Sequence, residues 1–140
     1  MNADYMIFLD ALSKGGEEAA AQCLFHQLAP NVRAFIDSIL NCNSVPKLTV
    51  GVGRNKQRLT LLVNNDFFLF CDLHTAARLS VLFKLMSNLS AADGFDRMAK
   101  VFDTMSHDIL VASKKITPSE MLAQIESIKA QVRDALTTRH

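Results

Sequence analysis

Tryptophan is absent from this chain, tyrosine occurs once, and 140 residues carry only 3 prolines, 5 glycines and 3 cysteines. So little proline and glycine excludes collagen-like and low-complexity classes. The cysteines, Cys23, Cys42 and Cys71, are odd in number and sit inside apolar runs. A secreted disulfide framework wants an even count in a loop-rich chain, so these read as reduced thiols acting as small core residues. Long hydrophobic runs are missing as well: none approaches the ~20 residues of a bilayer span. The start, Met1-Asn2-Ala3-Asp4-Tyr5, has no basic region, and Asp10 interrupts the apolar stretch behind it, so no secretory signal is expected. Neither sign of charge dominates. Fifteen basic and 14 acidic side chains leave +1, so no global field draws nucleic acid or an anionic membrane. The expectation is a cytoplasmic protein with no membrane partner.

What is present is apolar surface. Hydrophobic residues make up 49 % and charged residues 21 %, which excludes disorder as the main state. The length fits one domain over residues 1–140. Charge is uneven in one place: residues 47–58 hold Lys47, Arg54, Lys56 and Arg58 with no acid, whereas residues 1–46 are net negative.

Periodicity predicts an α+β fold with three N-terminal helices, a three-stranded antiparallel β-meander and three C-terminal helices. The first helix, over 4–13, is stopped by Gly15-Gly16. Glu17 and Glu18 open the second, at the positive end of its dipole. Pro30 precedes the third, where Val32, Phe35, Ile36, Ile39 and Leu40 fall on one face. The period then becomes two. Leu48, Val50 and Val52 alternate with Thr49 and Gly51, a turn covers 53–57, and Leu59, Leu61 and Val63 return. Asn64-Asn65-Asp66 turns into a third strand, Phe67-Phe68-Leu69-Phe70-Cys71. That strand is apolar on both faces, so helices or a second subunit must cover both. Helical spacing resumes at Thr75, and Ser90 with Asp93 reads as the cap of the next helix, which ends near Lys114-Lys115. Thr117-Pro118-Ser119-Glu120 is a capping box opening a long amphipathic last helix.

Candidate chemistry is sparse. The Cys23, His26, Cys71 and His74 pairs have weak spacing for zinc, with no Cys-x-x-Cys or His-Glu-x-x-His, and they are read as two buried thiols and two imidazoles. No cofactor or metal is expected. His107 and Asp108 are adjacent and diverge by about 100° on a helix, so they form no dyad. No Gly-x-Ser-x-Gly or P-loop occurs, and the chain is expected not to be an enzyme.

Two surfaces are left. Arg54, Lys56 and Arg58 cluster at a hairpin, 53–58, and three helices before a basic hairpin is the element order of a winged helix. Arg33 would join them from the third helix as a DNA contact. Acidic residues before the hairpin disfavour nucleic acid as the partner. The second surface is an apolar set: Phe67, Phe68, Phe70, Phe83, Met86 and Phe102, with Leu122, Ile125 and Val132 on the last helix. It reads as core first, as a homodimer interface close behind, and as a Phe/Met-lined cavity for a small apolar ligand third. So small a domain has difficulty burying every apolar face alone. The leading expectation is therefore a non-enzymatic binding or adaptor protein, a homodimer acting through an apolar surface on a further protein partner not specified by the residues. A DNA-binding regulator and an apolar-ligand carrier are the alternatives.

Overall fold

The computed structural model describes residues 3–53, 58–115, 127, 128 and 130–135, with side chains from Met6 onward. The class is α+β: a three-stranded antiparallel sheet with helices before and after it. Helix α1 spans Ala3–Gln27 and α2 Pro30–Leu40; strands β1, β2 and β3 span Leu48–Val52, Leu59–Val63 and Phe67–Cys71; α3 spans Leu73–Ala92 and α4 Asp96–Ser113. A further helical stretch covers 127–128 and 130–135.

Counted as continuous elements the helices are fewer than the six expected, because the first two lie end to end in α1 with the break between them at a single residue. The chain stays helical through Gly15 and departs only at Gly16, with φ 72 and ψ −161. That left-handed combination is populated essentially by glycine alone. It bends α1 back on itself. Phe8 and Leu24 line the same groove, although 16 residues of straight helix would hold them about 24 Å apart.

The junction between α3 and α4 also differs. Ser90 lies inside α3, Asp93 is its C-cap, and α4 starts after Phe95 with no side-chain cap. The cause is Gly94 at φ 83. There the Phe95 amide donates to the Ser90 carbonyl at 2.8 Å, and the Gly94 amide donates to the Ala91 carbonyl at 3.1 Å. This double return is the Schellman ending of a helix, so the Ser/Asp pair has no helix start to cap.

Strand order is β1-β2-β3, with Val50 opposite Leu61 and Leu61 opposite Leu69. Asn64 and Asn65 take positive φ, 53 and 61, at the β2–β3 turn, a conformation asparagine tolerates better than bulkier residues. Asn64 also ties that turn to the segment leading into β1. Its Oδ1 accepts from the Lys47 amide at 2.8 Å, and its Nδ2 donates to Ser44 Oγ at 3.3 Å.

Period two then sorts the sheet. Leu59, Leu61, Val63, Leu69 and Cys71 are buried on one face, against Val32, Phe35, Ile36 and Ile39 of α2 and the inner sides of α3 and α4. Phe67 joins them, its ring edge-on to Phe35 at 5.7 Å. Helices α3 and α4 run antiparallel along a seam of small residues. Ser80 Oγ donates to the Ser106 carbonyl at 2.9 Å, and Ser106 Oγ donates back to the Ser80 carbonyl at 2.6 Å. Seven residues on, Ser87 Oγ donates to the Ala99 carbonyl at 2.7 Å. A step of seven along α3 thus meets a step of seven back along α4, keeping small side chains opposed and the backbones close. Phe83 and Phe102 stack beside this seam at 6.2 Å.

Candidate binding surface

The helices cover one face of the sheet. The other presents Thr49 and Gly51 from β1, Thr60 and Leu62 from β2, and Phe68 and Phe70 from β3. Register sets them in two rows, Thr49–Leu62–Phe68 and Gly51–Thr60–Phe70. None of the six carries a charge. Phe68 and Phe70 are 61 % and 59 % exposed, with rings edge-to-face at 5.2 Å, so each supports the other and neither reaches a core. A Cβ added at Gly51 would meet nothing within 4 Å, so space above β1 is open as well. Two phenylalanines of about 200 Å² each, exposed to this degree, leave roughly 240 Å² of aromatic surface in water, equivalent to about 6 kcal/mol of burial not yet realised. The largest contiguous apolar patch on a soluble monomer is about 300–600 Å² and is often functional.

The other members of the apolar set lie elsewhere. Phe83 and Phe102 are fully inside and Met86 is half-buried against the core. Val132 is 54 % exposed, and so is its neighbour one turn back, Ile128, at 59 %. Leu122 and Ile125 lie outside the described residues, as do Arg54 and Lys56 of the basic hairpin. The hairpin is closed by the Gly53 amide donating to the Arg58 carbonyl at 2.9 Å. Arg58 is exposed, and its charge faces Asp72 closely enough to help hold that carboxylate down. Arg33 is half-buried on α2, whose exposed positions, Pro30, Asn31, Ala34, Asp37, Ser38 and Leu40, include an acid and no cation.

Electrostatics elsewhere are those of structure. Asp72 is the N-cap of α3, accepting from the Thr75 amide at 2.8 Å. That bond holds its carboxyl below the usual 3.8, against partial burial, with the Thr75 hydroxyl, His74 and Arg58 helping. Burial pushes the Cys71 thiol up to about 11, with the adjacent Asp72 charge adding to it. All three cysteines are unpaired. Among the described residues no group of three His, Cys, Asp or Glu side chains gathers to hold a metal ion, and no helix is long and apolar enough to cross a membrane.

One feature escaped the sequence reading. Phe8, Leu24, Leu73, Ala77 and Val81, with Gln27, His74 and Arg78, line an open groove of about 400 Å³ between the bent α1 and the start of α3. The signal was the spacing of Leu73, Ala77 and Val81 beside His74 and Arg78, which puts apolar and cationic groups on one side of α3. No known protein family, curated protein or solved structure matches this chain.

Proposed function

We propose that this chain is a non-enzymatic binding protein of the cytoplasm whose working surface is the outer face of its sheet, and that a second copy of the chain occupies that face. The observation carrying this reading is the pair Phe68 and Phe70, both more than half exposed on a sheet face that the described helices leave open. A strand that is apolar on both sides needs cover on both. Three unpaired cysteines agree with a reducing compartment.

A second copy suits the face better than an acidic or basic partner, because all six outward residues are uncharged and a two-fold interface is self-complementary by construction. Area limits its strength. Three five-residue strands give a footprint of roughly 16 by 14 Å, well under the ~800 Å² per partner of a standard interface. Burying four phenylalanine rings gives about 12 kcal/mol gross, against an association cost of about 4–15 kcal/mol. At the low end of that cost about 8 kcal/mol remains, which corresponds to a dimer in the micromolar range.

The test is Phe68→Glu with Phe70→Glu. Both positions are exposed, so the fold is retained by circular dichroism. Size exclusion with light scattering then reads twice the 15.5 kDa chain mass for the parent at a few hundred micromolar, and the single chain for the variant. A parent that stays a single chain throughout refutes the reading.

A further inference from the structure

We infer that the last helix packs antiparallel against the last helix of a second copy, through the stripe that holds Ile128 and Val132. The inference rests on the self-association proposed above for its partner, and it assigns that partner a contact separate from the sheet face. Residues 127, 128 and 130–135 are helical, and every one of them is exposed. Ile128 is 59 % exposed and Val132, one turn on, 54 %, so two β-branched apolar side chains on one side of a helix stand in water. A helix this short is marginal in water by itself and draws its stability from packing an apolar face. In the sequence Met121, Ile125, Ile128, Val132 and Ala135 follow at steps of four, three, four and three, the spacing of a seam between two helices.

Charge selects the occupant and its direction. From Thr117 to Ser127 the sequence has Glu120 and Glu126 and no cation; from Ile128 to His140 it has Lys129, Arg133 and Arg139 against Asp134 alone. One half is net negative and the other net positive. A second copy laid antiparallel sets each half against its opposite, whereas a parallel copy sets like against like, and an acidic or basic partner would match one half and oppose the other. Arg133 and Asp134 already interact within the chain; the direction follows from the net charge of each half and not from a single ion pair. The sign changes between Glu126 and Lys129, which sets the two-fold axis beside Ile128. Area calls for a second contact as well. The outer sheet face, at roughly 16 by 14 Å, supplies well under the ~800 Å² per partner of a standard interface.

Spin labels on Ser127→Cys or Asp134→Cys, each combined with Cys23→Ser and Cys42→Ser so that buried Cys71 alone remains of the native thiols, read the distance between copies by double electron–electron resonance at a few hundred micromolar. Both positions are exposed and one heptad apart, so a parallel pair gives them equal distances. The antiparallel pair separates the labels along the axis by about 3 Å at 127 and about 18 Å at 134, and the measured distance should be longer at 134 by several ångströms. Ile128→Glu with Val132→Glu, both at exposed positions, should weaken association by about tenfold or more, because like charges then face each other across the seam. Equal distances at 127 and 134, no distance between copies at either, or association unmoved by the two glutamates would each overturn the inference. A dimer that Phe68→Glu with Phe70→Glu dissociates, but that shows no short distance at 127, keeps the sheet face and refutes the helix pair. A short distance at 127 that survives that substitution keeps the helix pair without the sheet face.

Discussion

Replacing Gly16 with alanine isolates the bend in α1. A Cβ built there meets nothing within 4 Å, so crowding contributes nothing and the whole effect is dihedral. At φ 72 and ψ −161 an L-residue with a Cβ costs about 1–3 kcal/mol, offset in part by about 0.4–1 kcal/mol from the stiffer unfolded chain. The loss has a ceiling. Among the described side chains before the bend, Phe8 is the one packed against the core, and only partly, while Met6, Ile7, Leu9 and Leu12 are exposed. Once the strain exceeds what that docking contributes, the first arm lets go and the rest of the fold keeps its stability. The melting temperature of Gly16→Ala should therefore fall by only a few degrees, at about 3–5 °C per kcal/mol for this size. Amides of residues 6–12 should meanwhile lose hydrogen-exchange protection by tenfold or more, at ~1.4 kcal/mol per decade. Gly51→Ala is the control: its Cβ is equally unobstructed on an ordinary strand backbone, and its melting temperature should hold or rise. A Gly16→Ala protein as stable as the parent, with unchanged exchange in the first arm, would mean that α1 does not bend there.

Three other outcomes follow from the same structure. Ser106→Ala removes the donor at 2.6 Å from the Ser80 carbonyl and should cost about 1 kcal/mol by urea titration; Ser80→Ala should cost a similar amount, and the double variant less than the two together, because the hydroxyls also face each other at 3.2 Å. Asp72→Ala should cost about 1 kcal/mol at pH 7 as a lost N-cap. Because the folded carboxyl is held below its unfolded value, the parent's advantage is present above about pH 4 and fades as acid carries it through the folded pKa, so parent and variant should converge in urea titrations near pH 2. At pH 8 iodoacetamide should modify half-buried Cys23 and Cys42 ahead of Cys71, whose thiol is buried and raised to about 11; equal rates by mass spectrometry would contradict that burial.

Most of the meander was legible because period two leaves little choice: Leu59, Leu61 and Val63 cannot share a face unless the chain is extended, and an Asn-Asn pair tolerates the positive φ of the turn that follows. The same period makes β3 apolar on both sides, and that alone does not tell which of its phenylalanines is exposed. The helical part was less transparent. Gly15-Gly16 reads as a stop, and the break falls there, but at Gly16 alone, with Gly15 still helical. Ser90 and Asp93 resemble a start signal in isolation, and what decides their role is the left-handed Gly94, which turns them into an ending. Phe83 and Phe102 could not be separated from Phe68 and Phe70 by composition, since all are apolar and near one another in sequence; the strand and helix periods place one pair inside and the other out. The α3–α4 seam is written in small residues at intervals of seven, Ser80 with Ser87 and Ala99 with Ser106, a signal that a search for large apolar stripes passes over.

In the proposed assembly the outer sheet face of one chain meets the same face of its copy. The direct measurement is an isotope-filtered nuclear Overhauser spectrum on a millimolar sample mixing labelled and unlabelled chains, which registers contacts between copies alone. Cross-peaks from the Phe68 and Phe70 rings of one copy to the Leu62 methyls of the other are the predicted result. A filtered spectrum silent at those rings, with the same rings showing contacts only within their own chain, would contradict it.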